Sequence, residues 1–333
     1  MANGTPPAPG LTFPPETFAK LTPRPFLQAH LQHKDSIRPN GRRPEEVRKP
    51  TVNTGSLSYS NGSAVVRVGD TAVVCGVRAE ILLASDIPHP PNGDADAEHL
   101  LEDLGLLVPN VELSTGCSPT HLPGNPPGIL AQALSYRILS LLHVSDLVNL
   151  QDLQIEYTVP QTDDDLPDAG PKTVVKAYWT LYIDILCIAM DGNPFDAAWT
   201  AVIAALRDTS LPRAWWDPDR EIILCSPLEA EASRLRLRNL PMASTFAVYS
   251  TSSPLKQRAH AESWVLADPD GFEEDVCHES VTVVLSHHMD GKKSGILRVE
   301  KHGGGIVDNV ALLRCVQATR NRAGEWCAVL GIT

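Results

Sequence analysis

No stretch of about 18 uncharged apolar residues occurs in this 333-residue chain, so no helical membrane span is expected. The most apolar long run, Tyr178 to Met190, is too short for a bilayer and carries Asp184. The amino terminus, MANGTPPAPGLTFPPE, lacks the basic-then-apolar layout of a secretory leader, and the chain is expected to stay in a reducing compartment. No Cys-x-x-Cys pair is present, and the 7 cysteines are odd in number. Cys75 and Cys187 fall inside apolar strand patterns, where a reduced cysteine acts as a small hydrophobe. Gly303-Gly304-Gly305 is not followed by the Lys-Ser/Thr of a phosphate loop and reads as a break between strand and helix. His287-His288 has no third ligand at a recognisable spacing, and adjacent strand residues face opposite ways, so no metal is expected there. No nucleophile-elbow context appears, which removes the case for a hydrolase triad.

Lys and Arg are absent from two acidic stretches, Asp94 to Asp103 with five acids and Thr162 to Asp168 with four. The net charge of −12 argues against nucleic acid, but without those nine acids it falls to −3. Both stretches are flanked by Pro and Gly and lack core periodicity, so they read as solvated surface insertions.

With 43% hydrophobic and 20% charged residues, the chain can bury a substantial core. Residues 37–80 form its most informative segment: IRPNGRRPEEVRKPTVNTGSLSYSNGSAVVRVGDTAVVCGVRAE. A basic lead-in broken by Pro and Gly runs into an expected three-strand meander, with turns at Asn61-Gly62 and Gly69-Asp70. Pro14 to His33 offers one short amphipathic helix before it. Strands follow at Leu106 to Leu113, Leu153 to Val159 and Val174 to Met190, and apolar helices from Gly128 to about Leu142 and from Phe195 to Leu206. A second β-rich half reads as strands at Glu221–Leu224, Met242–Tyr249, Trp264–Ala267, Ser280–Ser286 and Gly295–Lys301, then a helix from Asn309 to Arg320. Asp290-Gly291 closes a hairpin between the last two strands. The order is that of an α+β layer fold, and the similar grammar of the halves suggests a duplication without a residue-by-residue repeat.

The wording of several short segments adds to these patterns. Arg38-Pro39-Asn40-Gly41-Arg42, Gly62-Ser63-Ala64, Gly69-Asp70-Thr71 and Val73-Val74-Cys75-Gly76-Val77 occur in order, with Val108-Pro109-Asn110-Val111, Asp184-Ile185-Leu186-Cys187 and Leu266-Ala267-Asp268-Pro269-Asp270-Gly271 downstream. Together they resemble the RNase PH family, which trims RNA from its 3′ end, and within it the ring subunits of the eukaryotic exosome. The resemblance covers about residues 35 to 320. It implies an RNase PH-type (ribosomal protein S5 domain 2-like) fold, with two sheet-and-helix halves packed in one domain. The expected divisions are an N-terminal extension and short helix at 1–34, a first half at 35–212 with acidic insertions near 92–106 and 161–171, and a second half at 213–333.

Phosphorolysis needs cations and backbone donors to hold phosphate beside the RNA, and carboxylates to place a metal or the leaving group. Between Val111 and Leu150 the only Lys or Arg is Arg137, inside an apolar helix, which is too little counter-charge. Asp268 fits the family's first catalytic aspartate, and Glu274 stands at the second aspartate position. The acids Asp268, Asp270, Glu273, Glu274 and Asp275 admit three readings: a turn and helix-start group, the remnant of a lost site, or a working metal site. The first two fit the missing phosphate clamp better, so no catalytic residue, metal or cofactor is expected. Arginines at 234, 236 and 238 would line one face of a strand, a geometry that tracks phosphates or covers a solvated edge. Arg42, Arg43, Arg236 and Arg238 are the candidates for RNA contact.

The resemblance then implies a structural, non-catalytic ring subunit that forms part of an RNA channel for 3′-5′ processing and degradation, including rRNA maturation. Its expected partners are other RNase PH-like subunits in a hetero-hexamer, S1/KH cap subunits, the exosome's catalytic nucleases and the RNA in transit, with no membrane. The expected location is nucleus, nucleolus and cytoplasm. The competing reading is an active phosphate-dependent 3′-5′ exoribonuclease.

Overall fold

A computed structural model describes residues 14–88, 97–118, 128–160, 173–251, 262–288 and 295–331. Two short helices open it, α1 (Pro15–Leu21) and α2 (Pro23–Gln32). One helix was expected from this segment. Pro23 divides it, because proline offers no amide to continue the first helix and suits the first turn of the second.

The first half builds a six-stranded sheet. Its strands are β1 (Pro50–Thr54), β2 (Gly62–Val68), β3 (Thr71–Leu83), β4 (Leu107–Leu113), β5 (Gln154–Thr158) and β6 (Thr173–Ala189), ordered β1-β2-β3-β6-β4 with β5 also on β6. Gly69 and Asp70 join β2 to β3 as expected. Asn61-Gly62 is not the other turn: β1 and β2 are connected by residues 55–61. The Asn61 amide instead donates to the Val77 carbonyl, and its side chain accepts from the Ala79 amide. Gly62 is glycine because a Cβ there would stand 2.5 Å from the Thr209 amide nitrogen, where a helix end meets the sheet. Strand β6 is buried on both faces between Ala177 and Leu181, then alternates, with Ile183, Ile185 and Cys187 inward and Asp184, Leu186 and Ile188 outward.

Helix α3 (Ala97–Asp103) lies between β3 and β4. The first acidic stretch is therefore not all solvated loop, since Leu100, Leu101 and Leu104 pack on the core. Its other residues up to 96, the second acidic stretch at 162–168 and the Asp290-Gly291 turn lie outside the described residues, as do the His287 and His288 side chains. Helices α4 (Ile129–Val144), α5 (Leu150–Leu153) and α6 (Pro194–Asp208) complete this half. Buried on nearly all sides, α6 is rich in alanine, whose small side chains let the helix lie close to β2 and β3 while also meeting the second half.

Short pairs follow: β7 (Ser210–Leu211), β8 (Ala214–Asp217), β9 (Ile222–Cys225) and β10 (Ser233–Arg234). The second main sheet has β11 (Asn239–Ser250), β12 (Ser263–Ala267), β13 (Glu279–His288) and β14 (Gly295–His302), all antiparallel in the order β12-β11-β13-β14. Helix α7 (Gly271–Val276) follows β12, and α8 (Asn309–Val329) ends the fold about two turns later than the periodicity predicts. Leu27 and Leu31 of α2 cover one face of this sheet with Tyr249 and Leu266, while Cys315 and neighbouring residues of α8 cover the other. The main core runs through both halves, joining Trp199 to Met242, Val284 and Trp326. All seven cysteines are free, and only Cys225 is exposed. No helix among the described residues is long and apolar enough to cross a membrane.

Candidate functional site

Asp268 directly follows β12 in a left-handed conformation (φ 50°), with no exposed surface. Positive φ costs an aspartate less than most residues, but a buried carboxylate needs partners. It has them. Arg48 grips it in a bidentate arrangement, Nε on one oxygen and Nη2 on the other, each at 2.9 Å, and the Arg48 amide adds a third bond at 2.9 Å. Asn193 Nδ2 donates at 2.8 Å, and Arg42 Nη1 reaches the carboxylate at 3.4 Å and the Asp268 carbonyl at 2.9 Å. Burial alone would raise this carboxyl, but the bond from Arg48 and the charges of Arg322 and Arg48 hold it well below the usual carboxylate range. Asp268 in turn outweighs the effect of burial on Arg48 and raises that guanidinium.

The network extends in both directions. Asn193 Nδ2 also bonds Asp196 at the start of α6, which accepts from Arg322 Nη1 at 2.8 Å and from the Thr245 amide and hydroxyl. On the other side the turn at Arg38 to Arg42 closes on α7. Arg38, 1% exposed, donates to Glu273 at 2.9 Å and to the carbonyls of Arg43, Glu46 and Ala267. Asn40 bonds Asp270, which forms a capping box with Glu273. Asp268, Asp270 and Glu273 thus sit in a turn and helix start held by the basic lead-in. Among the described residues no set of three His, Cys, Asp or Glu side chains is placed to hold a metal.

Glu274 points elsewhere. It lies at a cavity of about 280 Å³ between α4, the start of α6 and β11, lined also by Arg137, Asn193, Thr245 and Thr282. One oxygen accepts from the Asn193 amide at 2.8 Å. The residue is exposed at the cavity mouth, yet its surroundings desolvate the carboxyl and push it up to about 7, against the Asn193 amide and Arg48. Arg137 is the cavity's cation, and it is already occupied. It stacks at 3.8 Å over Phe195, donates to Glu300 and bonds the Thr282 hydroxyl at 3.1 Å. The cavity therefore offers an arriving phosphate a neutralised guanidinium beside a carboxylate.

The raised Glu274 carboxyl has a measurable consequence. A group that holds its proton more tightly folded than unfolded contributes stability fully present below the unfolded value and lost as pH rises through the folded one. The urea midpoint is expected to fall between about pH 4.5 and 7, and Glu274→Gln is expected to remove that part of the decline. Parallel pH profiles for the two proteins would show that Glu274 is not its source.

Of the candidate RNA contacts, Arg42 is corrected. Its guanidinium is committed to Asp268, with Asp270 and Glu273 within 3.9 Å, and only 14% of its side chain is exposed. Arg43, Arg236 and Arg238 are exposed, and Arg238 faces Asp146 at 3.2 Å. Arg234, Arg236 and Arg238 are exposed and alternate with the inward Leu235 and Leu237, but the strand expected to carry them ends at Arg234. Arg38, Arg48, Asn193, Asp196 and Arg322 were not singled out as site residues. Arg48 and Arg322 lie 220 and 54 positions from Asp268, and no local spacing pairs them.

Residues 46–212 match the model of the 3′ exoribonuclease (RNase PH) family, domain 1. The chain belongs to that family. It is 34% identical to the exosome complex component rrp43 of Schizosaccharomyces pombe, over 94% of this chain and 96% of the relative. Identity to the exosome complex component Rrp42 of Methanothermobacter thermautotrophicus is 26%, with 86% of each covered. Among solved structures, an Archaeoglobus fulgidus exosome with RNA bound to the active site superposes with a TM-score of 0.62 at 24% identity, covering 91% of this chain and 95% of that one. An archaeal exosome core gives 0.61 at 21%, covering 95% and 99%. These superpositions establish the RNase PH fold expected from the sequence.

Proposed function

We propose that this chain is a structural, non-catalytic subunit of an exosome ring, forming part of the channel through which RNA reaches a nuclease elsewhere. The relatives of similar length, which carry exosome component names, support the ring. The observation that carries "non-catalytic" is the state of the two acidic positions. Asp268 is enclosed by Arg48, Asn193 and Arg42 with no surface left for a metal, and Glu274 looks into a cavity whose only arginine among the described residues is bound to Glu300. A phosphate nucleophile has no free counter-charge there. Asp268 and Glu274 are relics in this reading, and the site takes no metal or cofactor.

The ring reading brings other RNase PH-like subunits in a hetero-hexamer, S1/KH cap subunits, the catalytic exosome nucleases and RNA as partners, in nucleus, nucleolus and cytoplasm. Arg43, Arg236 and Arg238 are the side chains we assign to passing RNA or to a neighbouring subunit. We take residues 35–212 and 213–333 as the two halves.

The test is phosphate-dependent release of nucleoside diphosphates from a 3′-hydroxyl RNA by the purified chain, alone and with ring partners. No release is expected from this chain alone. Phosphate-dependent turnover that Glu274→Gln abolishes without changing the melting profile would establish the competing reading, a phosphorolytic exoribonuclease.

A further inference from the structure

An open groove of about 660 Å³ lies beside the second sheet, away from the Glu274 cavity. Its walls are the lead-in from Asp35 to Val47, strand β12, and the face of α8 that carries Arg314, Ala318 and Arg322. We propose that this groove receives an extended peptide segment of a partner protein, added as a strand to the free edge of β12 and directing an acidic side chain toward Arg314.

The hydrogen-bond register carries the first part. β12 is the outer strand of its sheet. The Asp268 amide points inward to the Thr245 carbonyl at 3.0 Å, and the Ala267 amide points outward to the Pro44 carbonyl at 2.8 Å. Alternate residues of an antiparallel strand share a direction, so Val265 and Ser263 also present their amide and carbonyl outward. Neither backbone has a partner on that side among the described residues, whereas Pro44 already pairs with the end of the same edge. Two outward residues offer four backbone bonds to an added strand, the usual basis of strand addition.

Side-chain chemistry carries the second part. The apolar floor of Val47, Phe246, Val265 and Ala318 suits every other side chain of an added strand. Arg314 and Arg43 have no ion-pair partner among the described residues, and Arg314 is exposed, whereas Arg322 is held by Asp196 and Asp268 beneath it. Asp35, Glu45 and Glu325 line the same groove, so its charges balance. A surface with no net charge gives a polyanion no overall attraction, and its exposed arginine suits a peptide with a single well-placed acid.

The probe is a fluorescein-labelled peptide of alternating threonine and valine with one glutamate, titrated into the full chain and followed by fluorescence anisotropy. Saturable binding is expected, weakened about tenfold or more when lysine replaces glutamate and abolished when alternate peptide amides are N-methylated. Arg314→Glu is expected to reverse the preference between glutamate and lysine. Val265→Pro removes an amide that bonds nothing among the described residues, so it is expected to keep the melting profile and lose the peptide. Lack of saturable binding, or binding indifferent to N-methylation and to Arg314→Glu, would overturn the proposal. So would displacement of the peptide by oligoadenylate with the same dependence on Arg314, or a homodimer that Val265→Pro dissolves and the peptide does not.

Discussion

Asp268→Ala is expected to destabilise the protein by about 3–5 kcal/mol, the range for removing one partner of a buried ion pair. The loss is larger than that of a single contact because the carboxylate serves several donors. Its removal leaves the guanidinium of Arg48, the side-chain amide of Asn193 and the Nη2 of Arg322 together without their shared acceptor. Those donors come from the lead-in, the turn before α6, and α8, so the damage spreads to the contact between the two halves. Asp268→Asn keeps the shape, yet its amide nitrogen meets donors, and it too is expected to be strongly destabilised. Against a typical total of about 5–15 kcal/mol, about a fifth or more of the stability is at stake. Urea denaturation at neutral pH measures it, and a change below about 1 kcal/mol would mean that the pair behaves as a solvated surface contact. A loss of RNA processing on mutating Asp268 would therefore report folding unless stability were measured alongside.

The second large effect is expected from Gly192→Ala. Gly192 has φ +71°, and an added Cβ would lie 2.3 Å from the Asp270 carbonyl carbon and 2.6 Å from the Gly271 nitrogen. The left-handed conformation costs alanine about 1–2 kcal/mol, and forcing an atom into close-packed backbone about 1–3 kcal/mol more. Backbone cannot swing aside as a flexible side chain can. The displaced segment carries Asp268 and the capping residue of α7, so the shift is expected to loosen the network around Asn193 as well. A fall in the thermal midpoint of several degrees is the expected reading, whereas a gain would show that reduced unfolded-state entropy outweighs the clash.

Much of this fold is legible locally. The strands β2, β3, β6, β11 and β13 announce themselves by branched apolar residues at a period of two, and α6 by its alanine-rich run after a turn. Errors fall where a local signal competes with a distant partner. Asn61-Gly62 has the wording of a hairpin turn, but Asn61 is fixed by β3 and Gly62 by the end of α6. The acidic segment before Gly105 looks solvated because its leucines are few, yet three of them find the core. Pro23 makes two helices of one amphipathic pattern.

By itself the sequence determined the α+β order, the reduced cysteines and the family, because strand periodicity, glycine turns and short motifs are properties of neighbouring residues. It also located the acids at Asp268 and Glu274 and the shortage of positive charge between Val111 and Leu150. Only the tertiary structure decided what those charges do. Arg38 and Arg42 of the opening motif, with Arg48 just beyond them, are turned inward onto Asp268 and Glu273 more than 200 residues away. A buried carboxylate is stable only with such partners, and which cations supply them depends on how the two halves close, which no local spacing records.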